Sequence, residues 1–510
     1  MYTFLPHLRF NLAAIQSHDM RKYYFVLIIA LLITEVSSGQ AFHNLNFADK
    51  CDTSKTGLCY WDLSWGGKGA VVPGNNAGIK CMLIQGKNEG SVGFAEQVAV
   101  FPTPKSDEFN TLTATIRTDS VTGKGAGLNL WLLDANGNSL ISKDMGGVYS
   151  LDWIRGTTKW KTCSVSVFCP KETAKVKIGA ILYGKGMAWF SSYKFSVTKV
   201  TNRKASASAV KYVNAACAII QKHSLFKDSV NIKKLKQTAF KIAGPAKTYS
   251  DCFLAVNYLI DCLRPYGDNH SFFMKADEQK NWQLNGSAIH PVENATYKVV
   301  NGYGYILVPG FHSGNKKLIR AFAEHLQAEI KRLSQAGIKG WIVDLRGNSG
   351  GNQEPMIAGM GPLFSSVKLG SLVDVNHKYS SWNYERGLYF FDDDKANGWR
   401  VSNPVVLTSQ LPIAVLTDGQ AGSSGEIAAI SFVGNARTKS FGQPTMGLTT
   451  GNGSFGLPDG SQMFIASTHM VDRNGKVYSR PVVPDVLVET GTVSKRDLVL
   501  EEAEKWLAGK

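Results

Sequence analysis

The chain lacks the cysteine and histidine spacing of a structural metal site. None of its eight cysteines forms a C-x-x-C pair, and none stands at zinc-site spacing from a histidine, so a structural metal is not expected. The disulfide pairs that the spacing allows are Cys51 with Cys59, Cys163 with Cys169, and Cys217 with Cys252 or Cys262. Buried free thiols are the alternative for these cysteines.

A long hydrophobic run is also missing, which argues against a membrane-spanning helix in the mature chain. Near the start, residues 23–33 form a run of eleven apolar residues, which is too short to cross a bilayer. Arg21 and Lys22 precede this run and small residues follow it. This is the pattern of a secretory signal peptide over residues 1–40, with Met20 as an alternative start. We therefore expect an exported bacterial protein, secreted or periplasmic, with attachment to the cell surface left open.

The basic residues are not gathered into a stripe with aromatic side chains. The formal net charge is +16, but the lysines are scattered, which argues against nucleic-acid binding. A basic surface suits contact with polyanionic cell-envelope material instead. With 44% hydrophobic and 19% charged residues the chain is expected to fold, and 510 residues exceed one ordinary core. We therefore predict a multidomain protein.

Residues 42–200 are rich in Gly, Thr, Ser, Val and aromatic residues, arranged in short alternating runs. Such runs, separated by turn residues, are typical of an all-β antiparallel sandwich. The layout resembles the jelly-roll, galactose-binding-like modules attached to exported bacterial enzymes. Tryptophans such as Trp131 and Trp153 would bind glycans if they were exposed, although large aromatic residues in a sandwich more often belong to its core.

The second part of the chain mixes helical and strand patterns. After a linker at residues 202–208, helical periodicity predicts a helical lead-in over residues 205–275. Strands then alternate with helices over residues 276–510, which predicts an α/β (α+β) domain. Predicted strands lie at residues 303–308, 341–345 and 413–416, and predicted helices at residues 318–333 and 498–507.

The most informative segment is AGSSGE at residues 421–426. It follows an apolar run and precedes another, which predicts a strand, a tight turn and a helix. Ser423 would then lie beside the open N–H groups of the first helical turn. Those groups favour the negative charge that an attacked carbonyl oxygen develops, although a serine at this place is also an ordinary helix cap.

Three further segments accompany this serine. They are YGDNHSFF at residues 266–273, DLRGNSGGN at residues 344–352, and FGQPTMGL at residues 441–448, with VPD later at residues 483–485. In this order the segments resemble the tail-specific, or C-terminal processing, serine protease family from about His270 to Glu489. The family often carries a PDZ module, for which too few residues separate Phe273 from Tyr303.

The resemblance implies roles for individual residues. One design of the family uses a lysine base after the Thr-x-Gly step, where this chain has Leu448. The tricorn-like design uses a histidine early in the domain, and His270 stands there. Ser423 would be the nucleophile and His270 the base, with Ser424 as the alternative nucleophile. Backbone N–H groups of Ser424 and of either Gly350 or Gly351 would hold the oxyanion.

The group that orients the imidazole is not given by the resemblance. Tricorn-like members carry an acidic residue where this chain has Tyr478, and a serine where it has Asn269. Asp472 is our candidate for the third catalytic residue, and His469 is the spare candidate base. Glu426, on the first helical turn, is expected to support the site together with Asn269.

Together these features predict an exported serine endopeptidase that acts on a peptide or protein substrate without a metal or organic cofactor. Two alternatives stay open. A catalytically inactive protein could bind peptides or hydrophobic ligands on the same scaffold, or glycan binding by the N-terminal region could dominate the biology.

Overall fold

The computed structural model describes residues 42–47, 49, 58–66, 69–101, 108–147, 149–200, 202–286, 293–489 and 496–510. The predicted signal peptide and Cys51 lie outside these ranges. All the described residues belong to one compact unit of the chain. No helix in the described part of the chain combines the length and apolar character needed to cross a bilayer.

The N-terminal region is all β, as predicted. Its strands are β1 (Asp62–Gly66), β2 (Gly69–Asn76), β3 (Ile79–Gly86), β4 (Val92–Val100), β5 (Glu108–Leu133), β6 (Ser139–Asp144), β7 (Ile154–Phe168), β8 (Lys175–Tyr183) and β9 (Gly186–Lys199). Every pairing among them is antiparallel, and the main path runs β1-β4-β8-β5-β9-β3-β2, with β6 and β7 joined to β5.

The long strand β5 belongs to two pairings in succession. Its first half pairs with β7 and β9, and its second half pairs with β6 and β8. Between the halves, Ser120, Gly123 and Gly125 have positive φ angles, which lets the strand bend. Side chains of both halves, including Leu112 and Leu130, share one buried core.

Three helices connect the β region to the rest of the chain: α1 (Ala207–His223), α2 (Ile232–Ile242) and α3 (Phe253–Asp261). Their apolar faces form a core that includes Phe109 of β5 and is lined in part by Phe168 of β7. The aromatic rings of Phe168 and Tyr258 lie 4.5 Å apart. Because this core also contains Met463 and Ile465 from further along the chain, the helices tie the β region firmly to the C-terminal sheets.

The C-terminal elements are α4 (Ala276–Asn285), β11 (Thr296–Val300), β12 (Tyr303–Leu307), α5 (Lys316–Ser334), β13 (Trp341–Asp344), α6 (Gln353–Met360), β14 (Lys368–Asp374), β15 (Tyr379–Glu385), β16 (Leu388–Phe391), β17 (Trp399–Arg400), β18 (Ile413–Thr417), α7 (Ser424–Phe432), β19 (Thr438–Gly442), β20 (Thr450–Gly456), β21 (Gln462–Asp472), β22 (Val477–Tyr478), β23 (Val486–Leu487) and α8 (Leu498–Ala508), with β10 (Phe272–Met274) preceding α4. They complete the predicted α/β part.

A six-stranded sheet in the order β11-β12-β13-β18-β19-β23 forms the centre of this part and is parallel except for β11. Trp341 and Val343 face α5 and α7, whereas Ile342 faces α8. Because both faces are covered, β13 and β18 are entirely buried, as parallel strands usually are.

The last helix is tied to the end of β13, where the chain enters the glycine loop, residues 345–352. Arg346 donates to Asp344, which ends β13, and to the carboxylate of Asp497, the cap of α8, at 2.8 Å. Asp344 is buried and also accepts from the hydroxyl of Tyr305 at 2.7 Å. These contacts give the aspartate and the arginine a structural role.

A second, antiparallel sheet in the order β10-β21-β14-β15-β16-β17, with β20 and β22 joined to β21, was not foreseen in the sequence. Both β10 and β20 pair with β21, and Phe272 of β10 and Ser454 of β20 lie opposite the same residue, Phe464. This arrangement positions the segment around His270 beside Thr450.

The expected disulfides are mostly absent. Cys59 is disulfide-bonded, but Cys163, Cys169, Cys217, Cys252 and Cys262 are free, as is Cys81. Cys163 lies within β7 and Cys169 directly after it, so extended backbone holds them about 20 Å apart. That is far beyond the roughly 7 Å limit between the Cα atoms of a disulfide.

These free thiols are expected to be unreactive while the protein is folded. Burial raises the pKa of Cys163, Cys169, Cys217 and Cys252 to about 11. The thiolate, the reactive form, is then scarce at pH 8. We predict that Ellman's reagent reacts slowly with the native protein and rapidly with six thiols in unreduced, denatured protein. A count of four in denaturant would reveal a disulfide that the fold does not contain.

Candidate active site

Ser423 lies in the turn between β18 and α7, which is the strand, turn and helix that the sequence predicts. Its φ of 54° and ψ of −119° are unusual for a residue with a side chain. Such a conformation costs about 1–3 kcal/mol and persists only where neighbours hold it. Here the N–H of Gly422 donates to the carbonyl of Asn348 at 2.9 Å, and the N–H of Ser423 donates to Glu426 at 2.9 Å.

Glu426 is the buried anchor of this turn. Its side chain is completely shielded from solvent. One carboxylate oxygen accepts from Ser423, and the other accepts from the hydroxyl of Thr445 at 2.5 Å and from the N–H of Gly447 at 2.8 Å. Burial raises the pKa of Glu426, and these donors partly offset the rise. The carboxylate therefore fastens the serine turn to the loop after β19.

His270 contacts Ser423 directly. Nε2 of the imidazole lies 2.9 Å from Oγ of Ser423, and Nδ1 lies 2.9 Å from Oγ1 of Thr450. The backbone of His270 is fixed on both sides, because its N–H donates to Asp268 and its carbonyl accepts from Asn452. The structure thus brings together the serine and the histidine that the sequence singles out, and it adds Thr450, which the sequence does not indicate.

The imidazole is held in its neutral form. Burial lowers the pKa of His270 to about 4, and Arg264 adds to the lowering. Asp268 acts in the opposite direction, but it does not contact the ring; its carboxylate accepts from the backbone N–H groups of His270 and Ser271. At neutral pH the ring can therefore accept a proton.

The structure does not bring Asp472, the candidate third catalytic residue, into contact with this ring, whose Nδ1 faces Thr450. Asp472 ends β21, where its carboxylate accepts from the N–H groups of Asn474 and Lys476 and from the hydroxyl of Tyr478 at 3.1 Å. The carboxylate stabilises a tight β-hairpin turn. Tyr478, which stands where tricorn-like members have an acidic residue, is therefore a hydrogen-bond partner of Asp472.

The other sequence candidates near the histidine have different positions. His469 is paired in register with Thr450 on the neighbouring strand, and it is not among the described residues that line the cleft. Asn269 lines the cleft with an exposed side chain, and its N–H donates to Gly267. The supporting role of Asn269 stays a prediction.

The glycine loop lies against the serine turn. Gly350 has a φ of +95°, and a Cβ at this position would lie 2.8 Å from Cβ of Ser423 and 2.9 Å from the nitrogen of Ser424. A side chain would therefore block the space in front of that nitrogen. The absence of a side chain at this position keeps the space beside Ser423 open.

The N–H groups around this space differ in availability. That of Gly350 donates to the side chain of Asn348 at 3.0 Å, so it is occupied. Within the described ranges, the N–H groups of Gly351 and Ser424 have no protein acceptor. The hydroxyl of Ser424 donates to the carbonyl of Gly351 at 2.7 Å, which joins the two segments and leaves Ser423 as the serine that faces the histidine.

A cleft of about 1110 Å³ opens over the serine and histidine. The C-terminal part contributes Ser423, His270 and Leu448 to its lining, and the β region contributes Trp131 and Lys143. Leu448, at the position of the lysine in the other family design, thus presents an apolar side chain. Among the described residues, no cluster of three or more His, Cys, Asp or Glu side chains could hold a metal ion.

Comparisons with known proteins relate part of this chain to a family of peptidases. Residues 302–488 match the family model for Peptidase family S41. The nisin-resistance protein of Lactococcus lactis subsp. lactis is 28% identical over 302 residues, which cover 59% of this chain and 88% of that protein.

Two solved structures are also similar. A lipoprotein from Streptococcus agalactiae is 24% identical with a TM-score of 0.49, over 60% of this chain and 97% of that one. A photosystem II D1 C-terminal processing protease is 14% identical with a TM-score of 0.40, over 59% of this chain and 98% of that one. The family match covers the serine turn and the glycine loop, and the chain therefore carries a peptidase family S41 domain.

Proposed function

We propose that this chain is an exported serine endopeptidase in which Ser423 is the nucleophile and His270 is the general base. The observation that carries the proposal is the 2.9 Å approach of Nε2 of His270 to Oγ of Ser423, with unoccupied N–H groups beside it. A nucleophile within hydrogen-bond reach of a neutral base is the arrangement that acyl transfer requires.

The reaction follows from this geometry. The hydroxyl of Ser423 adds to the carbonyl carbon of the substrate while its proton passes to Nε2 of His270. The N–H groups of Ser424 and Gly351 then donate to the oxyanion, and the imidazolium returns the proton to the departing amine. Water repeats the sequence on the acyl-enzyme and releases the second product.

Thr450 takes the place of the aspartate in a serine protease triad. If Nδ1–H of His270 donates to the hydroxyl oxygen of Thr450, the lone pair of Nε2 faces Ser423, which is the tautomer that a base needs. A hydroxyl supplies this orientation without the negative charge that would stabilise an imidazolium. We therefore assign Thr450 an orienting role only.

The cleft favours peptides or extended protein segments as substrates. The β region forms part of its wall, and the shared core around α1 to α3 fixes that region in place. The name of the Lactococcus relative is a reason to include nisin among the compounds tested.

The alternative is a protein that binds peptides on this scaffold without cleaving them. The observation that favours it is that Nδ1 of His270 contacts the hydroxyl of Thr450, at the place where a serine protease triad has a carboxylate. Loss of the aspartate from a triad slows catalysis by about 10⁴-fold without abolishing it, so the enzyme is the better-supported function.

Labelling with a fluorophosphonate probe separates the two functions. We expect the wild-type protein to be labelled, and Ser423→Ala to lose the label completely because the nucleophile is gone. Mass spectrometry of the labelled peptide would locate the site. The matched control is Ser454→Ala, an exposed serine on β20, which should be labelled like wild type. Absence of labelling in folded wild-type protein would favour the binding protein.

Removal of the base should slow labelling but leave the nucleophile in place. We expect His270→Ala to lower the second-order labelling rate by about 10²–10⁴-fold, the usual contribution of a positioned base. An equally fast reaction in this variant would contradict the assignment of His270. His469→Ala is the control, because that ring does not line the cleft.

The pH dependence of labelling should report the pKa of His270. Only the neutral ring accepts a proton, so a pKa near 4 keeps the site active to lower pH than the ordinary value of 6.5 would. The acid limb of the rate profile is therefore expected near pH 4. In Thr450→Asp, a carboxylate beside the ring would stabilise the imidazolium and move this limb to higher pH. An acid limb near pH 6.5 in wild type would contradict the lowering of the His270 pKa by burial.

A further inference from the structure

A segment of the β region reaches into the proposed active site. Residues 149–152, between β6 and β7, lie against α4 and the start of β10. Asp152 accepts from the ammonium of Lys275 at 2.5 Å, and the N–H of Leu151 donates to Glu278 at 3.4 Å. These contacts hold the segment against Lys275 and α4 on the C-terminal side of Ser150.

Tyr149 is the residue of this segment that enters the site. Its ring packs against Phe272 and Trp282, with centroid distances of 5.5 and 6.4 Å. Its hydroxyl lies 3.4 Å from Nδ1 of His312. Burial raises the pKa of Tyr149 to about 12, so the hydroxyl keeps its proton at neutral pH.

His312 links Tyr149 to Ser349 of the glycine loop. The side chain is buried, and Nε2 lies 3.0 Å from Oγ of Ser349, the residue before Gly350. One tautomer lets both contacts form at once, with Tyr149 donating to Nδ1 and Nε2–H donating to Ser349. The mechanism proposed above uses neither this histidine nor this serine.

Ser349 is placed where a small displacement would affect catalysis. The backbone of the glycine loop is held on one side by Phe311, whose N–H donates to Gly350 and whose carbonyl accepts from Asn352. His312 follows Phe311 directly, so its side-chain contact to Ser349 adds a second attachment two residues before Gly351, one of the two proposed oxyanion donors. Oxyanion donors act over a narrow distance range.

We propose that Tyr149 is a positioning residue that the N-terminal β region contributes to the protease site, acting through His312 and Ser349 on the loop that carries the oxyanion donor. The proposal depends on the proposed function, since it concerns the same acylation step. It assigns the β region a part in catalysis besides forming a wall of the cleft.

The test compares acylation kinetics of full-length variants with a chromogenic peptide ester and with the fluorophosphonate probe. Tyr149→Phe removes only the hydroxyl and keeps the ring in its aromatic contacts. We expect kcat to fall about tenfold with KM nearly unchanged, because a slightly displaced loop weakens binding of the transition state more than binding of the substrate. In Ser349→Ala, kcat should fall by a similar factor. In the double variant, kcat should be no lower than in either single variant, because both changes break the same chain of contacts.

Two controls distinguish this chain of contacts from general docking of the β region. Asp152→Asn removes the charge but keeps an oxygen that can accept a hydrogen bond from Lys275, so the segment and Tyr149 stay in place. Tyr60→Phe changes an exposed tyrosine of the β region. Both should keep wild-type kcat. A thermal unfolding curve for each variant ensures that folded protein is compared.

The outcomes separate the proposals. Wild-type kcat in Tyr149→Phe, or an equal loss in Asp152→Asn, would overturn the positioning role while leaving the peptidase intact. Additive losses in the double variant would overturn it as well. Failure of wild-type protein to react with either probe would instead count against the proposed function itself.

Discussion

The contact between His270 and Ser423 depends on neighbouring residues that hold the backbone of both segments in place. The two are 153 positions apart in the chain, and each is held by backbone contacts of its own segment. Glu426 secures the serine turn, and Asp268 with Asn452 secures the histidine. If either support moved by one ångström, proton transfer between the two side chains would lose its geometry. The parallel sheet and the antiparallel sheet act together to bring these two ends to one place.

Local patterns were sufficient for the secondary structure around the serine. The strand, turn and helix at residues 421–426 could be predicted from local signals, whereas the roles of Ser423 and of the glycines at residues 350 and 351 came from the family resemblance. His270 needed the family resemblance, because an isolated histidine in a turn has no local signature. The all-β region and the order of the α/β elements were also predictable, since each depends on periodicity within a short window.

The remaining features depend on long-range strand pairing, which a single sequence does not specify. Thr450 reaches His270 because β20 and β10 both pair with β21. Asp472 was the candidate for the third catalytic residue, but the N–H groups of its own hairpin turn engage its carboxylate. Gly350 was chosen as a possible oxyanion donor, yet the side chain of Asn348 accepts its N–H. In each case the hydrogen-bond partner comes from another element, or from a turn whose hydrogen bonds the sequence does not reveal.

The ion pairs of Arg346 join the last helix, α8, to the start of the glycine loop. The guanidinium joins Asp344, where β13 leads into the glycine loop, to Asp497, which begins α8. A change that displaces α8 would remove one of the two carboxylates that hold this guanidinium. The position of the glycine loop therefore depends on the last helix as well as on the sheet from which the loop extends.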